Sequence, residues 1–140
     1  MTSIIFVQDE IEEFWSRLEN YFNNSEIGMT QDKYLKLCEQ LNKDPVPEEI
    51  PPSLEDLPFI AQVALVIFNN LGDRVFPEIG YIGKDYTNLP LLMQIYDIDN
   101  RDKDLLIDIL GWLDSRAIKK SSDRLKKEYD KIKRKSSAGK

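Results

Sequence analysis

The sequence has 140 residues, of which 41% are hydrophobic and 31% charged, with a formal net charge of −6, as expected of one ordinary folded domain. It contains no histidine and one cysteine, Cys38, which excludes an internal disulfide, the usual Cys/His zinc sites and histidine-dependent catalytic triads. It has no apolar stretch of membrane-spanning length, and Met1–Val7 lacks the basic start of a signal peptide. We therefore expect a cytoplasmic protein that requires no cofactor.

The charge is distributed unevenly along the chain. Residues 117–140 contain ten Lys and Arg against three acids, a net charge of +7, so the other 116 residues carry −13. We divide the chain into an acidic helical domain, 1–116, and a basic helical tail, 117–140, that is not an independent domain. This asymmetry indicates a tail that binds its own partner or folds back on the acidic body.

Apolar residues at helical spacing predict the first two helices. The first runs from Gln8 to about Asn23, with acids in its first turn, where the helix dipole favours them. Thr30 is placed to cap a second helix that ends near Asn42. We expect the apolar face of this second helix to be buried: Tyr34, Leu37, Cys38 and Leu41.

The middle of the chain begins with a proline-rich connector. Asp44–Pro52 has four prolines in nine positions, which excludes a regular helix or a central strand there. Pro58 suits the first turn of the next helix, which is apolar on most faces up to Leu71 and is therefore predicted to be the central one. Gly72 ends it.

Asp73–Tyr86 has no helical period, which predicts a loop, with or without a short hairpin. We expect Val75–Asp85 within it to lie across one end of the domain. Asp85 or Thr87 can cap a following short helix. A last helix then continues as a one-sided apolar stripe on a charged surface. The fold class predicted is all-α: a single small domain of five or six helices with a Pro-rich connector and a long basic C-terminal helix.

Two segments superficially resemble ligand sites and fail on spacing. A calcium loop beginning at Asp97 would need an oxygen ligand at its fifth position and glycine at its sixth, but Arg101 and Asp102 stand there. Gly80–Lys84 lacks the spacing of a phosphate-binding loop, and Asp85 would repel a phosphate. We therefore predict no metal or nucleotide site. The single cysteine and both tryptophans are expected in the core: Trp15, Cys38 and Trp112.

The basic tail leaves three interpretations open. Its lysines and arginines can neutralise nucleic-acid phosphates, meet an anionic membrane, or keep a partner-binding helix solvated. The narrow apolar stripe is unfavourable to membrane binding, and the acidic body would repel phosphate at low salt. The candidate contacts with a partner or with nucleic acid are Lys119, Lys120, Arg124, Lys126, Lys127, Lys131, Lys133 and Arg134.

A Gly-x-Asp-Tyr-x-x-Leu-Pro motif is formed by Gly83, Asp85, Tyr86, Leu89 and Pro90. With this motif, residues 57–95 resemble a family of small uncharacterised phage proteins encoded near tail-morphogenesis genes. The resemblance implies a phage protein that acts in virion assembly as a chaperone or accessory factor, without catalytic residues. It also implies that the motif is structural.

Two hypotheses about function follow from the sequence, and a third, an enzyme that uses carboxylates alone, has no constellation of residues behind it. The first is a non-enzymatic interaction factor that binds a phage virion protein or a host protein. The alternative is a nucleic-acid-binding accessory factor that uses the basic tail. The sequence leaves the oligomeric state open.

Overall fold

The computed structural model describes the backbone of residues 8–138. This part of the chain forms five α-helices: α1 (Gln8–Glu26), α2 (Gln31–Gln40), α3 (Phe59–Asn70), α4 (Leu89–Ile95) and α5 (Lys103–Ala138). It also forms two strands, β1 (Gly72–Phe76) and β2 (Gly80–Asp85). The predicted mostly helical architecture is confirmed, but the all-α class is wrong because the strands pair into a small sheet.

The chain divides into two compact units, with the boundary between Gln62 and Val63 inside α3. In the first unit, Leu18 of α1 is buried, and the Thr30 hydroxyl accepts a hydrogen bond from Lys33 N at 3.3 Å. The predicted cap of α2 is therefore confirmed.

The predicted burial of the apolar face of α2 is wrong. Tyr34 and Cys38 are half-buried, and Leu37 and Leu41 are exposed. The reason is visible at Tyr34, whose hydroxyl accepts from Val46 N and donates to Glu49, both at 3.3 Å. The element beside α2 is thus the polar, proline-rich connector, which contributes only a one-turn 3-10 helix at Pro47–Glu49. It cannot cover an apolar face completely.

In the second unit, the buried apolar side chains belong to α3, α5 and Leu71 just after α3. They are Ala64, Ile67, Leu71, Leu106, Ile109, Leu110 and Leu113. Val66 on α3 is exposed, so this helix, although apolar on most faces, is not buried all the way round. Trp15 in the first unit and Trp112 in the second were expected in the core but are only half-buried.

The predicted loop after Gly72 is an antiparallel hairpin. Gly72 lies opposite Asp85 and Phe76 opposite Gly80, and the register shifts between Arg74 and Val75 so that Ile82 is an extra residue in β2. Such a bulge bends the strand and increases its twist. All of β1 is exposed, whereas β2 is mostly half-buried.

Helix α5 is continuous over 36 residues, a length of about 54 Å at 1.5 Å per residue. It passes through residue 116 without interruption, so the charge boundary inferred from the sequence is not a break in secondary structure. Of the helices within residues 8–138, none is both long enough and apolar enough to cross a membrane.

Candidate functional site

A carboxylate on α5, Asp114, holds the hairpin against this helix. The residue is only 8% exposed. Its Oδ1 accepts from the Tyr81 hydroxyl and its Oδ2 from the Tyr86 hydroxyl, each at 2.6 Å. The backbone N–H of Lys84 donates to the same carboxylate at 3.1 and 3.2 Å. A buried charge is tolerated where several donors surround it, as here.

Two glycines of β2 allow the strand to approach α5 closely. A Cβ on Gly83 would lie 3.3 Å from Asp114 Oδ2 and 3.6 Å from Ile118 Cδ1, and Gly83 has a φ of +131° that side chains disfavour. A Cβ on Gly80 would lie 3.2 Å from Ser121 Oγ, which accepts from Tyr81 N at 3.3 Å. The strand therefore follows three positions on one face of α5: Asp114, Ile118 and Ser121.

The side chain of Lys84 fixes the start of the hairpin to the end of α3. Its Nζ lies 2.7 Å from Asp73 Oδ1, 3.3 Å from the Leu71 carbonyl oxygen and 4.5 Å from the centre of the Phe68 ring. A cation at this point also suits the negative end of the α3 dipole. Lys84 thus binds α3 through its side chain and α5 through its backbone.

The Asp114 cluster perturbs the pKa values of its members in opposite directions. Burial, followed by the hydrogen bond to Asp114 and its negative charge, raises the pKa of Tyr81 and that of Tyr86 well above the usual range. Burial also acts to raise the pKa of Asp114. The hydrogen bonds from Tyr81, Tyr86 and Lys84 N outweigh it, so the pKa of Asp114 is lowered overall.

These shifts predict how stability depends on pH. The Asp114 contribution is present above its unfolded pKa of about 3.9 and is lost as pH falls through the lower folded pKa. The tyrosine contribution is complete below about pH 10 and is lost as pH rises through the higher folded pKa values. Urea unfolding between about pH 8 and 11.5 should show a shallower alkaline loss in Tyr81→Phe/Tyr86→Phe than in the wild type. Exposed Tyr129→Phe is the control, and equal slopes in all three proteins would refute the shifts.

The five residues of the Gly-x-Asp-Tyr-x-x-Leu-Pro motif lie in different surroundings. Gly83 and Tyr86 meet at Asp114. Exposed Asp85 accepts from Thr87 N at 2.9 Å and Thr87 Oγ1 at 2.6 Å, and these bonds lower the pKa of Asp85. The capping role expected for Asp85 or Thr87 is wrong, because the residue preceding α4 is Asn88 and it forms no side-chain cap. Leu89 and Pro90 begin α4.

The eight basic candidate residues all lie on α5, between Lys119 near its midpoint and Arg134 near its end. Every one is exposed. Within residues 8–138, none of the eight forms an ion pair with an acid. The structure therefore presents these cations to solvent along about 22 Å of helix, counting from Lys119 to Arg134.

An exposed apolar stripe lies between these cations. Leu125 is exposed, and Tyr129 and Ile132 are 70% and 67% exposed. Steps of three and four residues connect these side chains to the positions that hold β2, in the order Asp114, Ile118, Ser121, Leu125, Tyr129 and Ile132. Residues at such spacing share one helix face. We call Leu125, Tyr129 and Ile132 the α5 stripe; it continues the face on which the hairpin is docked.

Sequence reasoning missed Asp114, Tyr81 and Ser121. A signal was present at Asp114, which interrupts the apolar positions of α5 four residues after Leu110 and four before Ile118. A charged residue at a buried helical position requires partners. The tyrosines that supply them lie about 30 residues earlier, and their pairing depends on the hairpin.

No other constellation in the described chain has an evident chemical role. Among residues 8–138, no group of three Cys, Asp or Glu side chains is arranged to hold a metal ion. The oxygens of Asp114 are already occupied by hydroxyl and amide donors, which suits an anchor for the hairpin. The exposed cations and the α5 stripe are therefore the remaining candidates for a functional surface.

Comparison of the chain with protein-family models, with curated proteins and with solved structures gave no match in any of the three.

Proposed function

We propose that this chain is a non-enzymatic protein-interaction factor whose basic C-terminal half of α5 binds an acidic protein. The observation that supports the proposal is the α5 stripe, which leaves three apolar side chains in solvent between cations that have no acidic partner within residues 8–138. Apolar area at the centre of a surface with charges around it is the usual arrangement of a protein interface. The resemblance to phage proteins suggests a virion or host protein in the cytoplasm as the partner.

The alternative is nucleic-acid binding through the same cations. The distribution of the basic residues around α5 favours nucleic-acid binding. Lysines and arginines lie beside the stripe and also on the helix face opposite to it. Phosphate binding of this kind depends on charge and weakens steeply with salt, but it does not require the three apolar side chains. Removal of the apolar side chains of the α5 stripe should therefore weaken binding to a protein partner but not binding to nucleic acid.

Two sets of substitutions separate these functions. Leu125→Ala/Tyr129→Ala/Ile132→Ala removes the apolar area, and Lys126→Gln/Lys127→Gln/Lys131→Gln/Lys133→Gln removes charge; both retain good helix formers. Proteins crosslinked to the wild type in the cells that naturally make it would be identified, purified and titrated against all three forms. We expect an acidic partner with a micromolar or lower Kd, and a loss of about tenfold or more in each variant.

A second titration uses a DNA duplex of about 20 base pairs. Duplex binding that is steeply salt-dependent, lost in the lysine set and unchanged in the alanine set would replace the protein-partner proposal with the nucleic-acid alternative. Failure to find any purified protein that binds the wild type directly would refute the proposal.

A further inference from the structure

Strand β2 runs antiparallel to α5, so the hairpin turn extends toward the basic part of this helix. Lys84 and Gly83 lie beside Asp114, whereas Tyr81 and Gly80 lie beside Ser121, seven residues further along α5. The turn, residues 77–79, precedes Gly80 and therefore continues past Ser121 in the direction of Leu125. The hairpin turn and the α5 stripe thus belong to the same end of the second unit.

The tip of the hairpin, from Phe76 at the end of β1 to Ile79 in the turn, carries apolar side chains that do not contribute to its docking on α5. Phe76 and Ile79, on either side of Pro77 and Glu78, are 52% and 60% exposed. The contacts that hold the hairpin are made by β2, through Tyr81, Gly83 and Lys84. The docking of the hairpin on α5 therefore does not account for the large apolar residues exposed at its tip. Exposed apolar groups that two elements bring to the same end of a folded unit are typical of an interaction site.

From this geometry we infer that the hairpin tip, residues 76–79, and the α5 stripe form one docking surface, and that its occupant is an acidic amphipathic helix of a partner protein. The surface comprises Phe76, Ile79, Leu125, Tyr129 and Ile132. This inference rests on the proposed function and adds two things to it: a second contact element and the secondary structure of the partner.

Charge and spacing identify this occupant. The stripe has the three- and four-residue steps into which the side-chain ridge of a second helix fits. Its borders carry several cations without acidic partners in the described chain and one acid, Glu128, so the charge beside the stripe is positive overall. The complementary helix therefore has Glu or Asp beside its apolar positions. A second copy of the same helix half does not meet this condition, since it would place a segment of +7 against another of +7. Docking on the face that continues the hairpin interface lets one helix touch both elements.

The test uses a synthetic peptide of about three heptads as probe, with Leu at the a and d positions and Glu at the flanking e and g positions. A second peptide has the same composition and charge but scrambled apolar positions. Binding of each fluorescent peptide to the full chain would be measured by anisotropy at physiological salt. The variants are Phe76→Ser/Ile79→Ser, the alanine stripe variant, and Leu91→Ser/Ile95→Ser as a control at exposed apolar residues of α4.

We expect the patterned peptide to bind the wild type and the α4 control with equal affinity. It should bind the hairpin variant and the stripe variant about tenfold more weakly. Unchanged urea midpoints would establish that the hairpin variant remains folded. If the hairpin variant binds the patterned peptide as tightly as the wild type does, and only the stripe variant loses affinity, the hairpin contact is overturned. The proposed function would still stand. Equal binding of the scrambled peptide, or no binding of either peptide, would overturn the docking surface itself, and duplex DNA binding without peptide binding would remove both proposals.

Discussion

Replacing Asp114 with alanine is expected to lower the free energy of unfolding of the second unit by about 3 kcal/mol, because three donors lose a buried, charged acceptor. The chain has one tryptophan in each unit, Trp15 and Trp112. In a Trp15→Phe background, the fluorescence of Trp112 therefore reports urea unfolding at a side chain of the second unit.

Asp108→Ala is the matched control, since this aspartate lies on the same helix but is exposed. It should change the unfolding free energy by less than about 0.5 kcal/mol. Tyr81→Phe should cost about 1 kcal/mol, and adding it to Asp114→Ala should cost little more, because the hydrogen bond is already absent. A loss below about 1 kcal/mol in Asp114→Ala would show that the carboxylate does not hold the hairpin.

Gly83→Ala is expected to destabilise the second unit by about 2 kcal/mol. The new methyl group would meet Asp114 Oδ2 at 3.3 Å, and alanine would have to adopt a φ of +131°. The same substitution at Gly111, within α5, should have the opposite sign. No heavy atom lies within 4 Å of a Cβ there, and alanine is the better helix former by about 1 kcal/mol.

The same Trp112 assay measures both glycine variants. The pair separates a general effect of adding a methyl group from the specific approach of β2 to α5. If Gly83→Ala were neutral, the strand would have room to move away from Asp114 at no cost, and the close approach would not be a constraint on this sequence.

Local patterns in the sequence were sufficient to predict most of the helices. The acidic first turn and apolar period of α1, the Thr30 cap of α2, and Pro58 and Gly72 at the ends of α3 are signals carried by neighbouring residues. The long final helix was equally visible. These elements need no information from distant parts of the chain.

The hairpin and its anchor could not be predicted in this way. Its strands alternate poorly, since β2 contains a bulge and two glycines, and β1 is exposed on all five residues. Gly83 is required by a side chain 31 positions later, and Asp114 is satisfied by Tyr81 and Tyr86 from the other side of α4. The exposure of the α2 face depends likewise on the connector that lies beside it. Each of these outcomes is set by long-range contacts that local spacing does not encode.

The uninterrupted α5 has a practical consequence for deletion experiments. Charge alone suggests cutting the chain after Arg116, but that cut would also remove Ile118 and Ser121, which contact the hairpin. A protein shortened there would lose hairpin contacts together with its cations, and any loss of binding would have two causes. Ending the chain after Asp123 instead would retain both contacts while deleting the α5 stripe and six of the eight candidate cations.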